Sequence, residues 1–522
     1  MNIWIRRLSL LALISLLRPA CGGSGGGPGK ILLASTPVSA AAGGTVAVTD
    51  PALTGTQVVI PAGALAADTT ITIHQVPDKD PDVLSFEFGP EGTTFSAPVT
   101  ITVKYLDSYL ANKGVLESQL RVVGSDLHVA AETFATSAQD TAANTISAQT
   151  VHFSQYSAVG YTNATISGDY ELISYMYETG TPQLNANTTG NPQPVPKGFK
   201  VSYGNLHADG AGSFSYSGTK RIDTSPSGDT GSAGYAVAAD GTFTMSGGAT
   251  INGSVLASGT VLIFGTASNQ PQISVGVKKG GASFNTASLS GDYGIITYMY
   301  ETGTTQPNTT TVGTPANPPL GFTCTKGILT FDGAGSVSLT GTRNTDGASS
   351  PDTGSASYSV SSGGILTLVG GGGGTGALLA GGSVLIWTTT ANQPQLSLCV
   401  KRGGTFSTAS LNGAYGTVFY RFEGGTVQPA TQTAGNPTTH PNGFQCSVGT
   451  LTFDGAGNAS YSGTKNTDGT ASADTGTDTY SVASDGTFSM TNISGYVLEG
   501  GSVVIWMTNA PAGPQISISI RK

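Results

Sequence analysis

The feature that most constrains this chain is a long repeat that occupies its C-terminal two thirds. Three segments align, ISGDY at 166–170, LSGDY at 289–293 and LNGAY at 411–415, so that successive copies begin 123 and 122 residues apart. Each copy continues with an Asp-Gly-Ala-Gly segment, an Asp-Thr-Gly segment and a closing Pro-Gln-Ile/Leu-Ser segment. Solenoid repeats are about 20 to 45 residues long, so this period indicates three tandem domains.

The composition indicates an all-β protein. Only 10% of the residues are charged and 75 are glycine, which excludes long helices rich in Glu, Lys, Leu and Ala. The formal net charge is −9, and no cluster of Lys and Arg follows the first few residues. We therefore expect no nucleic-acid partner, because phosphate backbones are bound by basic surfaces.

Short alternating segments predict about eight antiparallel strands in each repeat. For the second copy the predicted strands are 292–301, 321–331, 336–343, 355–361, 364–369, 376–380, 383–389 and 394–402. Eight strands in simple order can close into a small barrel, and at the level of fold the repeats resemble lipocalin- or avidin-like barrels. A two-sheet β-sandwich is the alternative.

A separate domain is predicted before the repeats, over residues 35–160. Its segments are GGTV at 43–46, IPAGAL at 60–65, FGPEGTTF at 88–95, APV at 97–99 and VHFSQY at 151–156. In this order they resemble a ZU5 domain, which implies a β-sandwich used for interactions and not for catalysis. His152, in the closing segment, is interpreted as a packed or capped histidine rather than a ligand.

The N-terminus has the order of an export signal. Arg6 and Arg7 precede the apolar run 8–17, and Cys21 then leads into a segment rich in Gly and Ser. This resembles a bacterial lipoprotein signal, although Arg18 stands where that family has Leu. The resemblance implies that Cys21 carries the lipid and anchors the chain in the membrane of the cell envelope or surface; the alternative is ordinary cleavage and secretion.

These observations together predict six segments. They are a signal peptide at 1–21, a tether at 22–34, the ZU5-like sandwich at 35–160, and β-repeats at 161–286, 287–409 and 410–522.

No residue pattern predicts catalysis, a cofactor or a metal. The triplets that begin at Asp229, Asp352 and Asp474 resemble the aspartic-protease signature, but their Ser- and Gly-rich surroundings favour a turn before a strand. The Asp-Gly-Ala-Gly segments lack the spacing of a calcium loop and are interpreted as hairpin turns. Cys324 and Cys446 occupy matching positions and are expected to be small core residues.

Two strands and one loop of each repeat have patterns of their own. Ile296, Tyr298 and Tyr300 share one face of the first strand, which we expect to be core. The seventh strand, 384–387 in copy two, is apolar on both faces, so we expect a neighbouring unit to cover it. Long loops follow the first strands at 179–198, 302–320 and 424–442, and we expect them to close a barrel mouth and line any ligand site.

The preferred function is therefore non-catalytic: a cell-envelope lipoprotein with a structural, adhesive or binding role toward envelope polysaccharide or protein. The first alternative is a set of small-molecule-binding β-barrels, which an accessible apolar cavity would favour. The second alternative is an envelope enzyme, which would require clustered acids and histidines in a cleft.

Overall fold

The computed structural model shows an all-β chain, as the composition predicts. It describes residues 30–78, 82–113, 115–125, 132–134, 136–178, 181–183, 195–238, 240–247, 250–256, 258–267, 270–280, 283–307, 318–370, 373–390, 393–423, 426–428, 441–508 and 514–522. Cys21 and most of the segments predicted to be a signal peptide and a tether lie outside this part of the chain. None of the helices in the described part has the length and apolar composition needed to cross a membrane.

The N-terminal domain is a sandwich of two antiparallel sheets. One sheet has the order β1-β4-β5-β11-β7-β8 and the other β2-β3-β6-β10-β9. Their bounds are β1 Ile31–Val38, β2 Gly44–Ala47, β3 Gln57–Ile60, β4 Thr69–Val76, β5 Ser85–Gly89, β6 Thr94–Lys104, β7 Leu120–Ser125, β8 Glu132–Phe134, β9 Thr136–Asp140, β10 Thr145–His152 and β11 Gln155–Gly160. One helix, α1 Asp107–Lys113, and a 3-10 turn, Glu117–Gln119, join β6 to β7.

Alternation along the strands builds the core of this sandwich. Val99, Ile101 and Val103 of β6 are buried and face Ile71 and Ile73 of β4 within one apolar cluster. His152 ends β10, where its carbonyl oxygen accepts a hydrogen bond from the Tyr156 hydroxyl at 2.7 Å.

Each of the three repeats forms a closed eight-stranded antiparallel barrel, so the barrel and not the sandwich is the architecture found. Barrel 1 contains β12 Ser167–Tyr177, β13 Phe199–Asp209, β14 Ser213–Ile222, β15 Ser225–Val237, β16 Thr242–Ser246, β17 Ile251–Val255, β18 Val261–Thr266 and β19 Gln272–Lys278. Barrel 2 contains β20 Ser290–Tyr300, β21 Phe322–Asp332, β22 Ser336–Thr345, β23 Ala348–Val360, β24 Ile365–Val369, β25 Gly374–Leu378, β26 Val384–Thr389 and β27 Gln395–Lys401. Barrel 3 contains β28 Asn412–Phe422, β29 Phe444–Asp454, β30 Asn458–Thr467, β31 Thr470–Val482, β32 Thr487–Met490, β33 Ile493–Val497, β34 Val503–Thr508 and β35 Gln515–Arg521.

Short 3-10 turns precede the barrels and one lies inside barrel 3. They are Asn163–Thr165, Thr286–Ser288, Thr408–Ser410 and Glu499–Gly501.

The start of one predicted strand is wrong. The fourth strand of copy two begins at Ala348 and not at 355, so that Asp352 lies inside a strand and not in a turn before it. Asp346 and Gly347 have positive φ angles of 49° and 91° and form a tight hairpin turn, which extends the pairing of β22 with β23 from Thr345↔Ala348 onward. The small polar residues at 348–354 locally favour a loop, but their backbone pairing with β22 keeps them in strand geometry.

The three barrels pack around a common centre in a cyclic arrangement. The strands β25 and β26 of barrel 2 contact β12 of barrel 1, β33 and β34 of barrel 3 contact β20 of barrel 2, and β17 and β18 of barrel 1 contact β28 of barrel 3. Each barrel thus uses its sixth and seventh strands toward one neighbour and its first strand toward the other. This is the head-to-tail contact of a cyclic trimer, made within a single chain.

Aromatic side chains fill the centre of this arrangement. Tyr175, Tyr298 and Tyr420 are fully buried, and their ring centroids lie 5.4–5.6 Å apart in edge-to-face pairs. A second layer stacks one ring of each first strand on a phenylalanine of another barrel: Tyr177 on Phe444, Tyr300 on Phe199 and Phe422 on Phe322, at 4.1–4.2 Å. The aromatic face is core, as expected, but it lies between the barrels and not inside them.

The seventh strand is covered on both faces, as its sequence predicts. In β26, Leu385 lies in the interior cluster of barrel 2, whereas Val384 and Ile386 belong to the cluster shared by all three barrels. Polar groups add bonds across the same interfaces. Arg402 pairs with Asp485 at 2.6 Å, and Lys522 pairs with Asp240 at 3.0 Å.

Candidate ligand cavity in the second barrel

The interior of barrel 2 contains a cavity of about 310 Å³. Its walls are mainly apolar, and the side chains that form them come from six of the eight strands: Ile295, Met299, Leu329, Phe331, Val337, Leu339, Ala356, Leu366, Leu368 and Trp387. Polar residues also line it, namely Thr297, Thr325, Arg343, Asp352, Ser355, Thr389, Gln393 and Gln395. A mainly apolar pocket with a few polar groups is typical of small-molecule sites, which begin at about 300 Å³.

One side chain on β22 distinguishes this barrel from its two neighbours. Leu339 pairs with Leu329, and the equivalent pairs in barrels 1 and 3 place Tyr216 and Tyr461 at the same position. In those barrels the tyrosine lies across a pair of glycines: a Cβ added to Gly463 would meet the Tyr461 hydroxyl oxygen at 2.6 Å. Barrel 2 keeps the glycine pair, Gly327 and Gly341, but its leucine has four fewer side-chain heavy atoms than tyrosine, so the space beside the glycines is left open.

A second truncation lies on β25. Gly374 pairs with Thr389, where the equivalent residues are Ile251 in barrel 1 and Ile493 in barrel 3. Replacing isoleucine by glycine removes four carbon atoms from the wall beside Trp387. Gly370 and Gly373, which lie between β24 and β25, also line the cavity.

Charged groups gather at the rim of the cavity. The Arg343 guanidinium lies 3.2 Å from the Asp352 carboxylate and 3.4 Å from Glu301, and the Thr325 hydroxyl donates to Asp352 at 2.6 Å. The hydrogen bond to Asp352 raises the pKa of Arg343 above its ordinary value. Asp352, interpreted from sequence as a turn residue, is therefore part of the rim because strand β23 extends further than predicted.

The long loop after β20 touches the rim where the structure describes it. Thr302 accepts a hydrogen bond from the side chain of Gln393, which lines the cavity. The Gln306 side chain closes the base of this loop: its amide nitrogen donates to the Leu320 carbonyl at 2.7 Å and its oxygen accepts from the Leu320 N–H at 3.0 Å. Gln428 bonds Asn442 in the same way in barrel 3. The loops 179–198, 302–320 and 424–442 are predicted to close the barrel mouths, but residues 184–194, 308–317 and 429–440 of these loops lie outside the described part of the chain.

Barrel 3 has a smaller cavity, of about 270 Å³. Phe419 and Tyr461 both line it, where barrel 2 has Thr297 and Leu339. Ser447 donates to Asp474 at 2.8 Å, so the carboxylate on the fourth strand has the same kind of partner as Asp352.

The remaining residues singled out from sequence have structural roles. Asp332 accepts hydrogen bonds from the backbone N–H groups of Ala334, Gly335 and Ser336 at 2.7–2.9 Å, which makes the Asp-Gly-Ala-Gly segment a capped hairpin turn. Cys324 and Cys446 are fully buried small core residues, as expected, and burial raises the pKa of the Cys446 thiol to about 12. Cys21 lies outside the described residues.

Sequence could have revealed the cavity only in part. Aligned copies show Leu339 against two tyrosines and Gly374 against two isoleucines, and this difference is visible without a structure. That both positions face the same barrel interior depends on strand register, which alignment does not give.

Comparison with known proteins gives little beyond these observations. No protein-family model matches the chain, and no curated protein matches it either. Among solved structures, isotype 1 transferrin-binding protein B from serogroup B Neisseria meningitidis is 11% identical; the match covers 83% of this chain and 92% of that one, with a TM-score of 0.19. A mutant of the vaccine antigen transferrin-binding protein B from Haemophilus parasuis is 9% identical, with 86% and 94% coverage and a TM-score of 0.16. Likenesses this weak carry no argument about function.

Proposed function

We propose that this chain is an exported, non-catalytic binding protein of the bacterial cell envelope, and that barrel 2 holds one small, largely apolar molecule. The observation that carries the proposal is the cavity in barrel 2, opened by Leu339 and Gly374. Packed interiors rarely keep voids larger than a water molecule, so a cavity of this size indicates a ligand site. We assign the ligand to barrel 2 because its cavity is larger than that of barrel 3 and lacks the rings of Phe419 and Tyr461 that line the latter.

Binding of a small molecule is favoured over adhesion by three separate modules. The barrels share one apolar core around their centre, so they form a single body and not three independently moving binding units. Barrels 1 and 3 then serve as the scaffold that holds barrel 2. A structural or adhesive role for the outer surface of this body is the second candidate.

The proposed export and lipid anchoring are supported by the N-terminal sequence alone. The apolar run 8–17 and Cys21 support export and lipidation, and the ZU5-like domain between tether and barrels then stands closest to the membrane. Mass spectrometry of the mature N-terminus tests this part, and an unmodified residue 21 would contradict it.

The ligand site is tested by filling it. We expect the full chain to bind the neutral fluorescent probe N-phenyl-1-naphthylamine once per molecule, with a rise in emission. Leu339→Tyr should weaken binding by at least about tenfold, because the larger side chain would take up volume that the probe needs. Tyr461 stands at the equivalent position in the wall of the smaller barrel 3 cavity. Thermal melting checks that the variant folds.

The matched control is Leu339→Met, which keeps the side-chain volume and should bind like the parent. Equal probe binding by the tyrosine and methionine variants would contradict the proposed site.

A further inference from the structure

The rim of the barrel 2 cavity has an excess of negative charge. One guanidinium, that of Arg343, faces the carboxylates of Asp352 and Glu301 on two sides. The Asp352 side chain is only 16% exposed, whereas Arg343 and Glu301 are 36% and 38% exposed. The rim thus carries a net charge of about −1 at neutral pH.

This arrangement discriminates between ligands by charge. An anionic head group would need Arg343, whose guanidinium already contacts both carboxylates, and it would be repelled by them. A cationic group has the opposite balance: it can approach Glu301 from the solvent side while Arg343 stays paired with Asp352. Below the rim, the apolar wall that includes Trp387 accepts a hydrocarbon body and offers a ring face that attracts cations.

We propose that the barrel 2 cavity selects small molecules that combine an apolar body with a protonated amine, and that the amine lies at the rim beside Glu301 and Asp352. This rests on the proposed function of the cavity as a ligand site. The equivalent acid in barrel 1, Glu178, pairs with Lys200 at 3.6 Å, so the excess of acid over base is a feature of the barrel 2 rim in this comparison.

The test compares three probes with the same chain and different head groups: octylammonium, 1-octanol and octanoate. Isothermal titration calorimetry on the full chain at pH 7 should give the order octylammonium, octanol, octanoate from tightest to weakest. Because the rim is partly exposed, each step should be about fivefold.

Single substitutions test whether the preference for a cationic head group arises from the charged residues at the rim. Glu301→Gln should reduce octylammonium affinity by about fivefold and leave octanol affinity unchanged. Glu178→Gln removes the same charge from barrel 1 and should leave all three affinities unchanged. Leu339→Tyr should weaken all three probes, which places them in the cavity.

The outcomes separate this inference from the proposed function. Octanoate binding as tightly as octylammonium, or a Glu301→Gln variant with unchanged octylammonium affinity, overturns the charge preference but leaves the cavity as a site. Failure of all three probes, together with failure of the neutral naphthylamine probe, overturns the proposed function and the inference with it.

Discussion

Single carboxylates hold the hairpins of all three barrels. Asp454 accepts hydrogen bonds from the backbone N–H groups of Ala456 and Asn458 and from the Asn458 side chain, at 2.6–2.8 Å. The Asn458 side chain is the largest of the influences that lower the pKa of Asp454 to about 2. Asp209 and Asp332 make equivalent backbone bonds, and their pKa values are also lowered.

These carboxylates predict a dependence of stability on acid. A carboxyl group with a pKa of about 2 in the folded state and about 3.9 unfolded stabilises the fold above pH 4, and this contribution is lost as the pH falls from 4 to 2. Asp454→Asn keeps an acceptor oxygen but does not titrate. We expect its melting temperature to fall less than that of the parent between pH 4 and pH 2.

Asp454→Ala is the comparison, since it removes both the cap and the charge. Its melting temperature should be lower than that of the asparagine variant at pH 7. If the asparagine variant and the parent lose the same number of degrees between pH 4 and pH 2, Asp454 does not contribute in this way.

At the scale of elements, close approach between the sixth and seventh strands requires glycine at one position in each barrel. A Cβ added to Gly376 would lie 2.0 Å from the Ile386 carbonyl oxygen, and one added to Gly495 would lie 2.0 Å from that of Ile505. The residue opposite each glycine is a large inward-facing tryptophan, Trp387 or Trp506. Because glycine has no Cβ, the backbone of the sixth strand can lie close to the seventh strand beside the tryptophan ring.

This predicts a position-specific cost for one methyl group. Gly376→Ala should lower the free energy of unfolding by about 1–3 kcal/mol, because the added carbon overlaps the neighbouring strand. Gly354→Ala, in β23 of the same barrel, adds a Cβ that meets nothing within 4 Å and should change stability by less than about 0.5 kcal/mol. Urea denaturation measures both, and equal effects would show that the close approach is not limiting.

At the scale of the whole molecule, the described residues form two bodies. The sandwich cluster contains residues up to Val159 and shares no member with the clusters of the barrels, whereas one cluster joins all three barrels. Phe322 shows the coupling: its ring stacks on Phe422 of barrel 3 and touches Phe199 of barrel 1. A barrel should therefore not unfold without exposing the core of its neighbours.

Differential scanning calorimetry should show two transitions, one for the sandwich and one for the three barrels together. Phe322→Ala should lower the temperature of the barrel transition as a whole, at a cost of about 3–5 kcal/mol, and leave the sandwich transition in place. Phe88→Ala, in the sandwich core, should lower the temperature of the sandwich transition and leave the barrel transition in place. Separate melting of a single barrel in the first variant would contradict the coupling.

Sequence predicted much of the local structure. The all-β class, the eight strands per repeat, the covered seventh strand and the Asp-Gly-Ala-Gly hairpin turns follow from alternation and from turn residues, which act over a few positions. The start of β23 was misplaced because Ser, Gly and Pro favour loops locally, whereas hairpin pairing over its whole length outweighs that preference. The lipid anchor at Cys21 and the ZU5 resemblance remain predictions.

By itself, then, the sequence determined which residues are apolar, where strands alternate and that three copies share one pattern. The tertiary structure decided what each apolar face packs against. Tyr175, Tyr298 and Tyr420 lie between the barrels, whereas Tyr293, on the same strand as Tyr298, lies inside barrel 2. Leu339 lines the cavity of barrel 2, and Gly374 lies beside Leu368 and Trp387 of its wall. Alternation places a side chain on one of two faces, but only closure and packing of the sheets determine which face becomes the inside of a barrel, which the contact between barrels, and where an empty volume remains.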